Sequence, residues 1–438
     1  MARTRLTSEL WRRWLTGELS AAEVRALGEH HLATCATCRR LMEALQNTSS
    51  VVPAATGAGA EPYISEERRA TEEKRGRRER AAARRDLSEL LSLAPKKRLA
   101  KIRRAFSRFR SPLLVDLLID RSEAAASREP REALALAESA LEVAMRLEHR
   151  EIGAARAMTA VARANAFRGN ALRVLRDLAE AEQLLGFALQ CFRREGSGEP
   201  EVEAKLLSLL ASLRSDQGRF EEAGLLLDRC VELYRRLQSR HGLSVTLIKI
   251  GVLHSLLGEP DEARRVTLEA LGYMDRGAEP KLYLSAQHNL TGYLGECGQW
   301  QEAEKRMAAN APLYDQFTEP WTQLRRLWLK GKIAFGLGDV DRAERIFLAV
   351  QKGYVEEDLS YLAGVVGLEL ALVAVARGDA RRVRELAEEV LLLLHDQGLS
   401  QESTAALMLF NEAARNEAVS SAMVEELIDR LRRKRDRA

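Results

Sequence analysis

Apolar residues recur at three- and four-residue intervals along most of this chain, and sustained Val/Ile/Thr alternation of the kind that marks strands is absent. The pattern predicts helices almost throughout. Near the start, TSELWRRWL, SAAEVRALGEHHL and TCRRLMEALQ read as short helices within residues 1–46, with Ser20 as an N-cap and Glu23 as its capping-box partner. Residues 47–65, NTSSVVPAATGAGAEPYIS, are rich in small residues, Gly and Pro, and predict a flexible linker. From Glu66 to Arg85 charge is dense and apolar residues are few, which suits either disorder or a solvated helix. Helical periodicity resumes in KKRLAKIRRAFSRFRSPLLVDLLID and continues to the end.

Superimposed on this periodicity is a longer one. Gly218, Gly258, Gly298, Gly338 and Gly378 are each 40 residues apart and open the phrases GRFEEA, GEPDEA, GQWQEA, GDVDRA and GDARRV. A glycine at such a point ends one helix in a backbone conformation that other residues resist, and acidic residues then open the next helix. Seven positions before each glycine stand Ala211, Gly251, Thr291, Gly331 and Ala371; five positions after stand Ala223, Ala263, Ala303, Ala343 and Val383. Small residues on both helices let the two approach closely. The combination resembles tetratricopeptide repeats, in a variant with a 40-residue period. Weaker copies are read at FRGNALRV around Gly169 and REPREALALAESAL from Arg128. The expected fold is all-α: an N-terminal helical domain (1–46), a charged linker (47–95), an α-solenoid of about seven hairpins (96–415) and a basic capping helix (416–438).

Composition fits this picture. Hydrophobic residues make up 46% of the 438 positions and aromatics only 5%, with the strong helix formers Ala, Leu, Arg and Glu dominant. No apolar run approaches the roughly 20 residues that cross a bilayer, and the N-terminus lacks a signal-peptide core, so a cytoplasmic location without membrane contact is expected. The formal charge of +4 conceals an asymmetry: residues 67–110 hold 17 Lys/Arg against 6 Asp/Glu, a local +11 that leaves −7 elsewhere. Three uses of that segment stand open. Its charge is solvated while Phe106 and Phe109 pack on the first hairpin, or it tracks a nucleic acid, or it meets an acidic protein surface.

One short stretch carries metal chemistry. In HHLATCATC, His31, Cys35 and Cys38 have the spacing H-x3-C-x2-C; the two thiolates reach one ion from a tight turn, and the imidazole lies one helical turn upstream. The surrounding LWRRWLTGELSAAEVRALGEHHLATCATCRRLMEAL resembles the zinc-finger of bacterial anti-sigma factors over residues 5–46, including the aromatic-Leu-x-Gly-Glu-Leu phrase from Trp14 to Leu19. The resemblance implies a zinc-bearing regulator whose partner is a sigma factor. The family's fourth ligand comes from the first helix, where this chain has Thr4. His30, Glu9 or a water fills that place, or the domain is a metal-free helical unit with inert thiols.

The remaining Cys191, Cys230 and Cys297 fall in separate hairpins, and no Walker, GxSxG, HExxH or dinucleotide-binding phrase occurs, so an enzyme is not expected. In the repeat pattern, positions thirteen, ten, six and three before the turn glycine face the groove. For Gly338 these are Arg325, Trp328, Lys332 and Phe335, with His288 alongside in the preceding hairpin. An indole flanked by cations suits an acidic peptide, although Trp328 also suits packing between hairpins. The sequence thus predicts a protein-binding regulator or scaffold that docks a protein or peptide, the alternative being a nucleic-acid-associated regulator using residues 67–110. Purified protein is expected to carry about one zinc per chain, measured by metal analysis, and Cys35→Ser with Cys38→Ser is expected to abolish it; metal-free native protein would remove the zinc assignment.

Overall fold

The computed structural model describes residues 66–433 apart from 106–107, 127 and 396–400. Residues 1–46, with His30, His31, Cys35, Cys38, Glu9 and Ser20, therefore lie outside the described residues. The chain divides into two compact units after Gly76, and the solenoid belongs to the second, Arg77–Ala438. Among the described residues every regular element is a helix.

Helix α1 (Glu66–Leu91) takes the helical alternative for the charged stretch, and α2 (Pro95–Arg104) follows. Among the described residues eight hairpins come next, beginning with α3 (Pro112–Ala125) and α4 (Pro130–Ala144). Beyond a single turn, α5 (His149–Ile152), α6 (Ala154–Val174) pairs with α7 (Leu178–Glu195). The third to fifth are α8 (Pro200–Asp216) with α9 (Phe220–Arg236), α10 (Arg240–Leu257) with α11 (Pro260–Tyr273), and α12 (Pro280–Glu296) with α13 (Trp300–Ala309) and a short α14 (Ala311–Tyr314). The last are α15 (Pro320–Gly336) with α16 (Val340–Glu356), α17 (Ser360–Ala376) with α18 (Ala380–Leu394), and α19 (Gln401–Arg415) with α20 (Ser421–Arg433). Proline at the first helical position opens α2, α3, α4, α8, α11, α12 and α15, where its missing N–H costs nothing.

The five turn glycines all have positive φ, from 66° at Gly218 to 82° at Gly338. Each closes a Schellman turn. At Gly338, the N–H of Asp339 donates to the Ala334 carbonyl at 2.9 Å and the Gly338 N–H to that of Phe335, also at 2.9 Å. The Asp339 carboxylate then caps α16 by accepting from the Arg342 N–H at 3.1 Å. Seven positions before the glycine, a β-carbon on Gly331 would lie 2.6 Å from the Phe347 ring, so the small position is enforced by the opposite helix.

Two turns toward the solenoid's ends lack the glycine. Gly169 is not a turn residue: it lies inside α6, where a β-carbon would meet Leu185 at 2.9 Å. It occupies the small position, and the turn seven residues later is Arg176, held at φ 74° with the same Asp177-to-Leu172 bond at 3.0 Å. The eighth hairpin turns at Glu417, φ 55°, so α20 pairs with α19 as well as packing on α17, where Tyr361 Oη donates to the Leu431 carbonyl at 3.0 Å. In both turns the motif survives without its glycine, which is why the register fades there. The helical period read through RRAFSRFR also breaks: α2 stops at Arg104, and Phe109 is buried at φ 61° ahead of Ser111-Pro112.

The first helices of the hairpins face inward on a curved surface. Lys205 on α8 reaches Glu123 on α3 at 2.5 Å while lying over the Phe167 ring of α6, which requires curvature toward that side. The winding also closes on itself. Arg128, in the first hairpin's turn, and Lys281 both bind Glu319 at the start of α15, at 2.8 and 3.1 Å, and hold its carboxyl down to about 2.

Because a residue other than glycine pays strain in a left-handed turn, Arg176→Gly is expected to stabilise the protein by about 1 kcal/mol and Gly338→Ala to destabilise it by about 1–2 kcal/mol. Thermal unfolding measures both; equal midpoints for Arg176→Gly and wild type would contradict the turn assignment.

Candidate partner-binding face

The inner face is built from the first helix of each hairpin, and its polar side chains join neighbouring hairpins. Arg163 pairs with Asp116, Arg173 with Asp216, and Lys332 with Glu369 at 3.2 Å. Lys249 on α10 donates to the Ser208 carbonyl at 2.9 Å, the Ser208 hydroxyl at 2.7 Å and the Ser212 hydroxyl at 2.9 Å. Burial, with the like charges of Lys205 and Arg173, pushes that ammonium down to about 7.

The fifth and sixth hairpins differ from the rest because α13 ends early. Pro312 cannot continue it, so the chain restarts as α14 and turns Tyr314 inward, 2% exposed, beneath α15. The displaced segment is fastened by Gln323, whose side-chain amide donates to the carbonyls of Tyr314 and Phe317 at 3.1 and 2.6 Å. Tyr314 Oη then lies 2.7 Å from Nδ1 of His288 on α12. Burial pushes the phenol up, so it keeps its proton and donates. Burial, then the charges of Arg325 and Lys332, hold His288 well below its usual range. The imidazole is therefore neutral, with Nδ1 accepting and Nε2 carrying the proton.

On α15, Trp321, Arg325, Trp328 and Lys332 succeed one another at intervals of four, three and four residues and share one face. Both indoles pack on Tyr354 of α16, with centroids 6.3 Å away for Trp321 and 5.9 Å for Trp328. Lys332 Nζ lies 5.6 Å from the Trp328 ring. Trp328 is thus packed between helices, with Nε1 buried and unbonded; Tyr354 Oη is likewise buried without a partner. Arg325 is partly buried. Among the described residues its guanidinium meets no carboxylate and makes no hydrogen bond, and burial lowers its pKa. The structure therefore brings His288, Arg325, Trp328 and Lys332 to one bay of the inner face, with Phe335 packed partly buried nearby. Tyr314, Tyr354 and Trp321 complete it. None of those three shows in the repeat register, although Pro312 after a shortened helix is a signal for the first.

Elsewhere, Cys230 fills a core position, its thiol 3.3 Å from the Ala204 carbonyl and pushed up to about 12 by burial. In the basic segment, Arg98 is buried, donating to the Leu90 carbonyl at 3.1 Å and pairing with Glu132 at 2.6 Å. Lys101, Arg103, Arg108 and Arg110 are also paired with acids. Arg78, Arg80, Arg84, Arg85, Lys96, Lys97 and Arg104 remain exposed with no carboxylate among the described residues. Phe109 is buried and is not available for stacking on a base; Phe106 lies outside the described residues.

Comparison with known proteins agrees with the fold. A family model described as tetratricopeptide repeat matches residues 202–274. Among solved structures, the chain is similar to a Rap protein complexed with Competence and Sporulation Factor, with a TM-score of 0.56 and 12% identity, covering 72% of this chain and 86% of that one. It is also similar to aspartyl phosphate phosphatase F from Bacillus subtilis, with a TM-score of 0.51 and 11% identity, covering 86% and 92% respectively. No curated protein matches the chain. These likenesses define the class, a helical-repeat solenoid of the tetratricopeptide type. Among the described residues no helix is long and apolar enough to cross a membrane.

The lowered Lys249 value carries a pH dependence. Below pH 7 the ammonium is charged in both states and its burial penalty is full. As pH rises from about 7 toward the ordinary value near 10.5, the unfolded chain holds the extra proton, so stability rises. Wild type is expected to gain on the order of 1–2 kcal/mol relative to Lys249→Met between pH 6 and pH 9, read by chemical denaturation; parallel pH profiles would contradict the assignment.

Proposed function

We propose that this chain is a protein-binding regulator or scaffold whose inner solenoid face holds a segment of a partner protein. The observation that carries the reading is the bay at the fifth and sixth hairpins. There a cation, a neutral imidazole and aromatic walls stand together on a concave surface, with hydrogen-bonding capacity that the fold does not use. The likeness to a Rap protein that was solved with Competence and Sporulation Factor supports a binding role for such a solenoid. The N-terminal residues 1–46 are proposed to add a zinc-bearing module with His31, Cys35 and Cys38 as ligands and a sigma factor as partner. The H-x3-C-x2-C spacing and the soft donor set support this.

A nucleic-acid-associated reading draws on the unpaired cations of α1 and α2 and on nothing in the solenoid. One experiment separates the two. Full-length protein is used to capture partners from its native host, with and without nuclease. Val252 stands on the inner face, six positions before Gly258, and is 40% exposed; Leu225, on the second helix of its hairpin, is 72% exposed. Val252→Glu is expected to lower capture about tenfold or more, and Leu225→Glu to leave it unchanged. Capture that is indifferent to Val252→Glu would overturn the groove reading, and capture lost to nuclease would transfer the function to the basic segment.

A further inference from the structure

We propose that the C-terminal helix α20 is an internal occupant of the inner face, seated reversibly, and that a partner segment enters by displacing it. The proposal rests on the groove reading and adds its regulation. Its basis is the side of the array on which α20 lies. In the earlier hairpins the second helix packs on its own first helix and on the first helix of the hairpin that follows. By chain order α20 is a second helix, yet it also packs on α17, the first helix of the preceding hairpin, and reaches α10, the first helix of the fourth. Among the described residues no other second helix packs in this way. First helices line the concave side, so one helix meets hairpins four and seven together only across that side. The fifth and sixth hairpins, which carry the bay, lie between those two.

The cause is a broken packing rule. Seven positions before their turns the second to seventh hairpins have Gly169, Ala211, Gly251, Thr291, Gly331 and Ala371, whereas the eighth has Phe410, fully buried. A phenyl ring there denies α20 the close approach that a small residue allows. In those six hairpins the residues five and nine after the turn are buried; after Glu417 they are Ala422 and Glu426, both exposed. The buried stripe of α20 is a different one, Val424, Leu427, Ile428 and Leu431. These stand at intervals of three, one and three residues, the anchor pattern of an amphipathic helix laid in a groove. Together they join the apolar cluster of α17 and α18, and Tyr361 Oη fastens the last turn at the Leu431 carbonyl. A connection of only residues 416–420 tethers α20, so its effective concentration at the face is high and a free segment of the same pattern competes at a disadvantage.

The test uses the full-length chain and, as probe, a fluorescent peptide of residues 419–433, with anisotropy as readout. The peptide is expected to bind the Leu427→Glu variant about tenfold or more tighter than wild type, because the variant's own helix no longer competes. The same peptide carrying Leu427→Glu is expected to bind neither. Circular dichroism checks that the variant is folded. Should it not fold, a protease site placed in the exposed 416–420 connection of the otherwise native chain replaces it: after cutting, a reversible occupant exchanges with the labelled peptide while the solenoid stays folded. Partner capture is expected to rise about tenfold or more in Leu427→Glu and to fall again when Val252→Glu is added. Equal peptide binding by wild type and variant, unfolding or failed exchange after the cut, or capture that does not rise would overturn the proposal. If it fails while capture by the otherwise native chain remains sensitive to Val252→Glu, α20 is a fixed cap and the groove reading stands.

Discussion

The solenoid depends on the left-handed residue that closes seven of the eight hairpins among the described residues. A helix pair joined by a Schellman turn has its two axes set by one backbone conformation. That conformation brings the position seven before the turn against the side chain nine after it. Only small side chains fit there, as Gly331 against Phe347 and Gly251 against Thr267 show. Each hairpin then exposes an apolar flank that only the next hairpin covers, so stability is shared along the array and no unit is stable alone. Five of these turns use glycine at intervals of 40 residues. Arg176 and Glu417 adopt the same conformation without it.

The regular array creates the surface, and an irregularity creates the bay. A full-length second helix in the fifth hairpin would repeat the pattern of its neighbours. Pro312 interrupts it instead, and the restart carries Tyr314 under α15 to meet His288. The fixed imidazole tautomer and the fastened Asp315–Glu319 connection both result from that interruption. Across from it, Tyr354 anchors the two indoles on either side of Arg325. A site of this kind combines a regular array, which supplies the surface, with a single local break in it.

The basic segment shows how composition and structure divide. Its net charge invites a polyanion, yet much of that charge acts as an internal fastener. Arg98 ties the end of α1 to α4, and Arg108 bridges back to Asp86 at 2.6 Å. The cations left over lie on α1 and α2, and Phe109, which follows α2 in the chain, is buried. Net charge along a stretch of chain thus states how many cations there are and not which of them remain unmatched.

By itself the sequence determined the all-helical class, the 40-residue period, the small positions and the face of α15 that carries Arg325, Trp328 and Lys332. These are local consequences of helical geometry and of the few residues that tolerate a left-handed turn, so they can be read from spacing alone. Only the tertiary structure decided that Gly169 is a packing residue and Arg176 the turn, because a strained residue at the turn leaves no mark in composition. Likewise, only packing decided that Tyr314 and Tyr354 enclose the bay, that Trp328 is packed between helices, and that Arg325 lacks a counter-ion. The physical reason is that partnership is a property of neighbours brought together from different hairpins. A carboxylate can neutralise a guanidinium only where the winding of the array places it, and no spacing along the chain records that.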